Sequence, residues 1–348
     1  MFNDKKKLGT ILIFLISLVS STGILAQTRL QIAFQIPLEH HLAQNTLFFK
    51  QELEKISNGM ISVKINDYGS YLKDIKDQEE LNAQRKYFLD REILEAIKSR
   101  KVEVGMISLS RFAQLIPLVD IFHQPFLLDT EKKVTNAVMK DSVIRHSIEK
   151  SLEVLGITSL WWQPYGSVIY VSNGTAVQNP EQIKDKKVRV FGKTLGNLVL
   201  ASGGIPLAIP NSHQYFAYKH KKVDIGMTTI SEVRTKKIWE VMDTVSLANS
   251  ASIQFLMIAN QSWWNSLNQK TKRLISRAAL AAENDSLAKL KRIEEDSYKE
   301  AIKNGMSIVV LSNDDREYWR EKSSPIYKKF LENTGAEGQL AFDTASDY

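Results

Sequence analysis

The sequence predicts an α/β protein of two hinged lobes, with one long helix running along both. Strand and helix patterns alternate between Leu30 and Ser108, and a second alternating block begins near Ile157. The segment Asn268–Lys303 contains neither proline nor glycine, which predicts a helix too long for a single domain. A chain of 348 residues has room for two ordinary domains and a large buried core.

The first block alternates strands and helices. Residues Leu30–Ile36, LQIAFQI, alternate apolar and polar side chains and predict a strand that Pro37 ends. A helical pattern follows over 42–56. The segments ISVKI, REILEAIKSR and VEVGMIS then predict a strand, a helix and a strand. Residues 71–90 are highly charged, and this pattern favours a solvated helical extension over a partner-binding surface.

The second block and the long helix complete the predicted fold. SVIYVS, KVRVFG and VDIGMTT predict strands, and TLGNLVLASGG predicts a helix that ends on glycines. The glycine of Asn304-Gly305 ends the long helix, whose roughly 36 residues at ~1.5 Å each would span ~54 Å. Ligands of open α/β sheets bind at the carboxyl ends of strands, so the cleft between the two blocks is the predicted site.

The first 26 residues have the pattern of a secretory signal peptide. Lys5, Lys6 and Lys7 give a basic start, an apolar run covers 8–19, and small residues follow up to Ala26. We predict cleavage after Ala26 and export to the periplasm. An uncleaved membrane anchor is the alternative, because residues 8–26 carry no charge and nearly reach spanning length.

Composition and charge exclude several classes of protein. The chain has no cysteine, so it forms neither disulfides nor thiolate metal sites and carries no lipid-modified cysteine. Without residues 1–26 it has 43 basic against 38 acidic residues, a net charge of +5 that is spread along the sequence. Nucleic-acid-binding proteins more often gather their basic residues into a patch, so we expect no nucleic acid partner.

No catalytic motif occurs in the sequence. The nucleophile elbow, the phosphate loop and the HExxH and GxGxxG patterns are all missing. His40 and His41 are adjacent, and adjacent residues of a helix do not share a face, which speaks against a metal site. The pairs Trp161-Trp162 and Trp263-Trp264 adjoin apolar stretches, which favours core packing over a sugar site. We expect a protein that is not an enzyme and that uses no cofactor and no metal.

Arg189 is the candidate binding residue. In KVRVF, Val188 and Val190 point to one face of the predicted strand and Arg189 to the other. A guanidinium at this place can hold a carboxylate with two parallel hydrogen bonds. A structural ion pair is the alternative role for an arginine within a strand.

The sequence around Arg189 resembles the solute-binding proteins of TRAP transporters, the DctP type. NPEQIKDKKVRVFG is similar to that family's short helix followed by G-x-K-[IL]-R-V, with Arg189 on the family's arginine. The resemblance extends over 28–335, and the order and spacing of its motifs make it specific. The other matching segments are DREILEAIKSRKVEVGMIS, FHQPFLL, ASGGIPLAIPNSHQYFAYKHKKVDIG, KKIWEVMDTVSLAN and QSWWNSLNQKTKRLISRAALAA.

This resemblance implies a type II-like periplasmic binding protein, with two crossing strands at the hinge and a long helix spanning both lobes. It implies one lobe from 28–165 plus 254–293 and another from 166–253 plus 294–340. It further implies a monomer that closes on a small carboxylate ligand, burying the acid's charge against Arg189, and then docks on a membrane permease of one small and one large subunit. A sensor of the same fold, which presents its ligand to a signalling receptor, is the alternative.

Departures from the family pattern narrow the ligand class. Many members carry a second arginine where this chain has Ser167 or Val168, and Thr228 replaces a frequent ligand-binding asparagine. Asn211 replaces a common aromatic residue, and Ser108 stands where sialic-acid binders have an acid, although Arg111 is retained. Fewer cations and polar partners favour a monocarboxylate or a bulkier amphipathic acid over an unmodified dicarboxylate. The predicted ligand contacts are Arg189 as main anchor, Arg111 as second cation, and Gln35, Ser108, Ser167, Asn211 and Thr228 as neighbours.

Overall fold

The computed structural model describes residues 28–34, 36, 38–67 and 90–348, and within these residues eleven strands form two sheets. The first sheet has the strand order β2-β1-β3-β10-β4 and the second β11-β9-β5-β8-β6-β7. The strands are β1 (Thr28–Phe34), β2 (Ile61–Asp67), β3 (Val104–Ser108), β4 (Ile157–Ser167), β5 (Ile169–Ser172), β6 (Lys187–Arg189), β7 (Ile205–Leu207), β8 (Ile225–Thr228), β9 (Thr244–Leu247), β10 (Ser252–Asn260) and β11 (Ser307–Val310).

Helices cover both sheets. The α-helices are α1 (His41–Ile56), α2 (Asp90–Lys98), α3 (Glu131–Val138), α4 (Val143–Val154), α5 (Gly192–Ala201), α6 (Gln214–Lys219), α7 (Ile230–Thr235), α8 (Gln261–Ser266), α9 (Gln269–Lys303) and α10 (Asn313–Asp347). Short 3₁₀ helices cover Leu109–Phe112, Pro117–His123, Pro180–Ile183, Asn211–His213 and Ile238–Glu240. The predicted two-lobed α/β fold is confirmed, and the six predicted strands and four predicted helices that fall in the described residues lie within a few residues of observed elements. The predictions for residues 1–26, Gln35 and 71–89 fall outside the described residues.

Two long antiparallel strands join the sheets. β4 pairs with β10 in the first sheet. The chain continues directly from β4 into β5 and from β9 into β10, and both β5 and β9 belong to the second sheet. The ladder continues between the sheets, because Val168 N–H donates to Ala251 O at 2.8 Å and Ser250 N–H donates to Val168 O at 3.0 Å. Two register shifts interrupt the β4–β10 pair, and such bulges bend a strand. These are the two crossing strands that the sequence resemblance implies.

The long helix α9 runs past both sheets, as predicted. Its 35 residues correspond to ~52 Å, and it packs against α1 and β4 on one side of the hinge and against α7 and β11 on the other. The Asn268 side chain caps its first turn by accepting from Thr271 N–H at 2.9 Å. Small residues, such as Ala278 and Ala282, face the core and allow this close packing.

The C-terminal helix α10 also contacts both halves. It packs against α5 next to the second sheet and against α4 next to the first. Its last turns lie on the first lobe, where Ala341 and Ala345 are buried and the hydroxyls of Tyr348 and Ser142 are 3.3 Å apart. The lobe boundaries 28–165 plus 254–293 and 166–253 plus 294–340 remain a prediction.

The hydrophobic core passes through the hinge. One buried cluster includes Ile32 and Phe49 beside the first sheet and Val188 beside the second. Trp161 belongs to it and stacks on Phe49 with ring centroids 4.4 Å apart, while Trp162 lies in a second cluster behind the first sheet. Both tryptophans are fully buried, so the prediction of core packing is confirmed for this pair. In the described part of the chain, no helix is both long and apolar enough to cross a membrane.

Candidate functional site

Four of the predicted site residues are the last residues of strands. Ser108 ends β3, Ser167 ends β4, Arg189 ends β6 and Thr228 ends β8. Ser108 pairs with Phe255 of β10, whose ring stacks on Tyr165 at 5.2 Å, and Arg189 pairs with Gly226 two residues before Thr228. The strand ends of both sheets therefore converge on the hinge, the place where open α/β sheets bind ligands.

The Arg189 side chain is buried and held in place by main-chain carbonyls. It is 2% exposed. Its Nε donates to Ile209 O at 3.1 Å and its Nη1 donates to Met227 O at 2.5 Å. The guanidinium carbon lies 4.2 Å from the centre of the Phe191 ring. Nη2 has no hydrogen-bond partner among the described residues, so a fixed cation keeps a donor for another group.

Serine and threonine hydroxyls surround this part of the hinge. Thr228 is fully buried, and its Oγ1 finds no partner in the described part of the chain. Ser108 is half-buried, with its Oγ 2.8 Å from Ser110 Oγ. Ser167 is half-buried beside Glu294 of α9. Burial raises the pKa of Glu294 to about 7, although a hydrogen bond from the Ser167 backbone opposes this shift.

The other predicted ligand-binding residues, Asn211, Arg111 and Gln35, differ in their position relative to Arg189. Asn211 lies on the 3₁₀ helix before α6, and its Nδ2 donates to the Tyr165 hydroxyl at 3.3 Å. Arg111 follows the end of β3, but its side chain is exposed to solvent. Arg189, Thr228 and Asn211 are thus gathered at the hinge, whereas Arg111 lies at its margin. Gln35 is outside the described residues.

A buried carboxylate that sequence reasoning missed lies beside these residues. Glu232 of α7 is 3% exposed. Its Oε1 accepts a hydrogen bond from the Tyr165 hydroxyl, and its Oε2 accepts from Gln214 Nε2 at 3.0 Å and from Lys236 Nζ at 2.5 Å. Nε2 of His40, which precedes α1, is 3.5 Å from Oε1. We call these five residues the Glu232 cluster.

Burial and neighbouring charges shift the pKa values of Glu232 and of the two nearby histidines. Burial alone would raise the pKa of Glu232, but the attraction of Lys236 and His40 and the bonds from Lys236 and Tyr165 lower it to about 2. Burial lowers the pKa of His40 to about 4, although Glu232 opposes that shift, and it lowers the pKa of His41 to about 3. At neutral pH the cluster therefore contains an ionised Glu232 paired with Lys236, next to neutral imidazoles.

The two histidines lie closer together than the sequence analysis expected. His40 is the N-cap of α1 rather than a helical residue, and its Nδ1 accepts from Leu42 N–H at 3.2 Å. The two rings consequently lie 4.3 Å apart, and the His40 ring stacks on Tyr165 at 5.1 Å. Within the described ranges there is no group of three or more histidine and acidic side chains placed to hold a metal ion.

The sequence around Glu232 resembles a capping box, which predicts a different position for its side chain. Thr229-Ile-Ser-Glu232 has the T-x-x-E spacing of a capping box, in which the glutamate turns back to its own helix. Thr229 does cap α7, since its Oγ1 accepts from Glu232 N–H at 3.4 Å, but the glutamate side chain reaches across the hinge to Tyr165. The signal that could have revealed it is a lone acid between apolar Ile230 and Val233, four residues before a lysine.

This fold and this arrangement of strand ends define a two-lobed solute-binding protein. The family model of the bacterial extracellular solute-binding proteins, family 7 (DctP), matches residues 33–334. The chain therefore belongs to this family, as the sequence resemblance indicated, and its members are solute-binding proteins of TRAP transporters.

Relatives of known function share modest identity over most of their length. The ectoine-binding periplasmic protein TeaA of Halomonas elongata is 24% identical over 233 residues, 66% of this chain and 68% of that protein. The C4-dicarboxylate-binding periplasmic protein DctP of Rhodobacter capsulatus is 24% identical over 302 residues, 86% of this chain and 85% of that protein.

Solved structures agree on the fold. An extracytoplasmic solute receptor of Bordetella pertussis that binds pyroglutamic acid superposes with a TM-score of 0.80 at 17% identity, covering 91% of this chain and 99% of that one. The ectoine-binding protein of the TeaABC TRAP transporter of Halomonas elongata gives 0.79 at 20% identity, covering 92% and 98%.

Proposed function

We propose that this protein captures a small organic acid in the periplasm and delivers it to the membrane subunits of a TRAP permease. In this proposal the acid lies between the lobes, with its carboxylate on Arg189 and with Thr228 and Asn211 beside it. The pairing of two lobes by crossing strands and a spanning helix suits closure around such a ligand. The chain acts as a binding protein and not as an enzyme.

The observation that carries this proposal is that the Arg189 guanidinium is buried, fixed in orientation and bonded to uncharged groups. Its guanidinium is buried, so its attraction for an anion is weakly screened by water. Two main-chain carbonyls fix its orientation before any ligand arrives, which reduces the entropy lost on binding. Carbonyl groups carry no formal charge, so the positive charge is not neutralised by its partners. A structural ion pair, the alternative role, would instead place a carboxylate on Arg189.

Relatives support both the ligand class and the place of action. TeaA and the Rhodobacter DctP protein are periplasmic binding proteins, and a structural relative binds pyroglutamic acid, a monocarboxylic acid. The TeaABC relative belongs to a TRAP transporter, which favours a permease over a signalling receptor as the partner. The predicted signal peptide over residues 1–26 would direct this chain to the same compartment.

A ligand screen followed by calorimetry tests the proposal. Organic acids that bind only the native protein raise its melting temperature, so a thermal-shift screen identifies the ligand class. With the best acid, Arg189→Lys keeps the charge but loses the planar fork, and we expect binding at least about tenfold weaker, or roughly 1.4 kcal/mol.

Arg111→Lys is the matched control for this experiment. Because Arg111 is exposed at the margin of the site, the same replacement should weaken binding less. Circular dichroism checks that both variants are folded. Wild-type affinity in Arg189→Lys together with weakened binding in Arg111→Lys would show that the anchor lies elsewhere.

A further inference from the structure

The Glu232 carboxylate is connected to the Arg189 region by a short series of buried groups. Gln214 Nε2 donates both to Glu232 and, at 2.8 Å, to Asn211 Oδ1. Gln214 Oε1 accepts from the Tyr218 hydroxyl at 3.3 Å, and the Tyr218 ring packs directly on Gly226, the strand partner of Arg189. The side chains of Gln214 and Tyr218 and the main chain of Gly226 therefore lie between the acid and the arginine.

Both charges act on one hydroxyl group. Burial raises the pKa of Tyr165 well above its usual value, the negative charge of Glu232 adds to this effect, and the positive charge of Arg189 opposes it. Burial lowers the pKa of Lys236, Glu232 opposes this shift, and the positive charge of Arg189 adds to it. Arg189, Lys236 and Glu232 thus form one electrostatic unit at the hinge.

This unit carries one net positive charge. Arg189 and Lys236 are cations, Glu232 is an anion, and His40 is neutral at physiological pH. Lys236 Nζ is already bonded to Glu232 at 2.5 Å and to Asn211 O at 2.7 Å. An incoming monoanion balances the remaining charge on Arg189, whereas a dianion brings a second negative charge close to the buried Glu232 carboxylate, where low dielectric strengthens the repulsion.

We propose that Glu232 is a specificity-determining residue, whose buried negative charge makes the site select acids with one carboxylate over acids with two. This inference rests on the proposed function, in which Arg189 holds an organic acid. Specificity of this kind comes from a repulsive element built against the wrong ligand. The hydrogen bonds from Tyr165, Gln214 and Lys236 keep Glu232 ionised and fixed, so the repulsion cannot be relieved by a proton or a rotation.

The test uses two ligands of nearly the same shape, succinate and its monoamide succinamate, which differ by one negative charge. Isothermal calorimetry gives the ratio of the two dissociation constants for the wild type, Glu232→Gln, Lys236→Met and the double variant. We expect the wild type to prefer succinamate. Glu232→Gln should shift the ratio towards succinate by at least about tenfold, because the repelling charge is lost.

The other two variants separate charge from structure. Lys236→Met removes the cation that most lowers the pKa of Glu232, so the ratio is measured at rising pH and should move away from succinate as this carboxyl ionises. The double variant restores the original net charge, and its ratio should return to within about threefold of the wild type. Lys236→Met and the double variant keep the test decisive even where Glu232→Gln alone does not fold.

Several results would overturn the inference. If Glu232 serves only stability, both ligands should bind more weakly to the variants, and the ratio of the two dissociation constants should stay the same throughout the series. A wild type that binds succinate as tightly as succinamate contradicts the selection directly, while the proposed function stands. Failure of both acids to bind any of the four proteins also contradicts it, and the wider acid screen with Arg189→Lys then decides the proposed function separately. Glu294 is the same in every variant, so it contributes to the wild-type ratio but not to the change in that ratio on Glu232→Gln, which is the decisive quantity.

Discussion

The hydroxyl groups of the adjacent residues Thr228 and Thr229 differ in their hydrogen bonding. Thr229 Oγ1 caps α7 and lies 3.1 Å from Ser231 Oγ, so its hydrogen bonds are made within the protein. Thr228 Oγ1 is buried and has no partner among the described residues, which is costly for a hydroxyl group. A hydroxyl in this state next to Arg189 is suited to bonding a ligand oxygen.

Thr228→Val and Thr229→Val should therefore have opposite effects. Valine at 228 keeps the shape and suits a strand, so the free energy of unfolding should change by less than about 0.5 kcal/mol or rise, while affinity for the acid falls roughly two- to tenfold. Valine at 229 removes a helix cap and should cost about 1 kcal/mol of stability. Urea denaturation and calorimetry measure the two quantities. A clear loss of stability in Thr228→Val would show that its hydroxyl is already paired.

Sequence reasoning located some site residues and not others, for a physical reason. Arg189 and Thr228 were found because a strand end is a local feature and the family motif surrounds them. The bond between Tyr165 and Glu232 joins residues 67 positions apart, and no pattern in either segment predicts it. Long-range contacts of this kind depend on how the two lobes are placed, which periodicity does not determine.

At the level of elements, α9 is fixed to the first lobe by a buried ion pair. Arg145 of α4 donates from Nη1 to Glu283 Oε1 at 2.6 Å and from Nη2 to Glu283 Oε2 at 3.0 Å. Glu283 also accepts from Trp162 N–H of β4 at 3.0 Å, so the Glu283 carboxylate of α9 holds both α4 and β4. On the far side of the hinge, Arg234 of α7 pairs with Glu300 of α9 at 2.7 Å, but this pair is exposed.

Glu283→Gln and Glu300→Gln provide a matched comparison. The first leaves the buried Arg145 with only the partly exposed Glu149 as counter-ion, 2.9 Å from its Nε, and should lower the free energy of unfolding by about 3 kcal/mol. The second removes an exposed pair and should cost less than about 1 kcal/mol. Chemical denaturation of both variants measures the difference. Equal losses would contradict the view that α9 is anchored mainly at its first-lobe end.

Local patterns predicted six of the eleven described strands and four of the ten described α-helices, and α10 is among the elements that they did not predict. This helix begins with a capping box in which Ser312 and Asp315 bond each other's backbone N–H. It then contains Pro325, and Gly335 interrupts it with a positive φ of 60°. Both residue types break helices, so the sequence gives no clear helical signal over 313–347. Contacts with both lobes supply the stability that propensity does not.

For the whole molecule, the contact between the lobes at the Glu232 cluster predicts coupling between binding and shape. His40 stands before α1 beside the first sheet, and Glu232 lies on α7 beside the second. An acid bound between these elements adds contacts to both lobes at once and so favours the closed arrangement. We expect the chain to bend at the β4–β10 pair, which joins the two sheets and contains two register shifts.

X-ray scattering with and without the acid identified by the screen tests this coupling. Chain length puts the radius of gyration of a compact protein of this size near ~20 Å, and saturating ligand should reduce the measured value. At the same ligand concentration, Arg189→Lys should show a smaller reduction, because less of it is occupied. Tight binding with an unchanged scattering curve would exclude closure.

The position of α10 has a practical consequence for following that movement. β1 belongs to the first sheet, and the last turns of α10 pack on α4 of the same lobe, where Tyr348 meets Ser142. Two fluorophores attached near these places would keep a constant separation while the second lobe swings. An optical sensor made from this protein therefore needs one dye on the second lobe, for example at exposed Phe216 of α6. Immobilising the protein through the end of α10, conversely, attaches it by the first lobe.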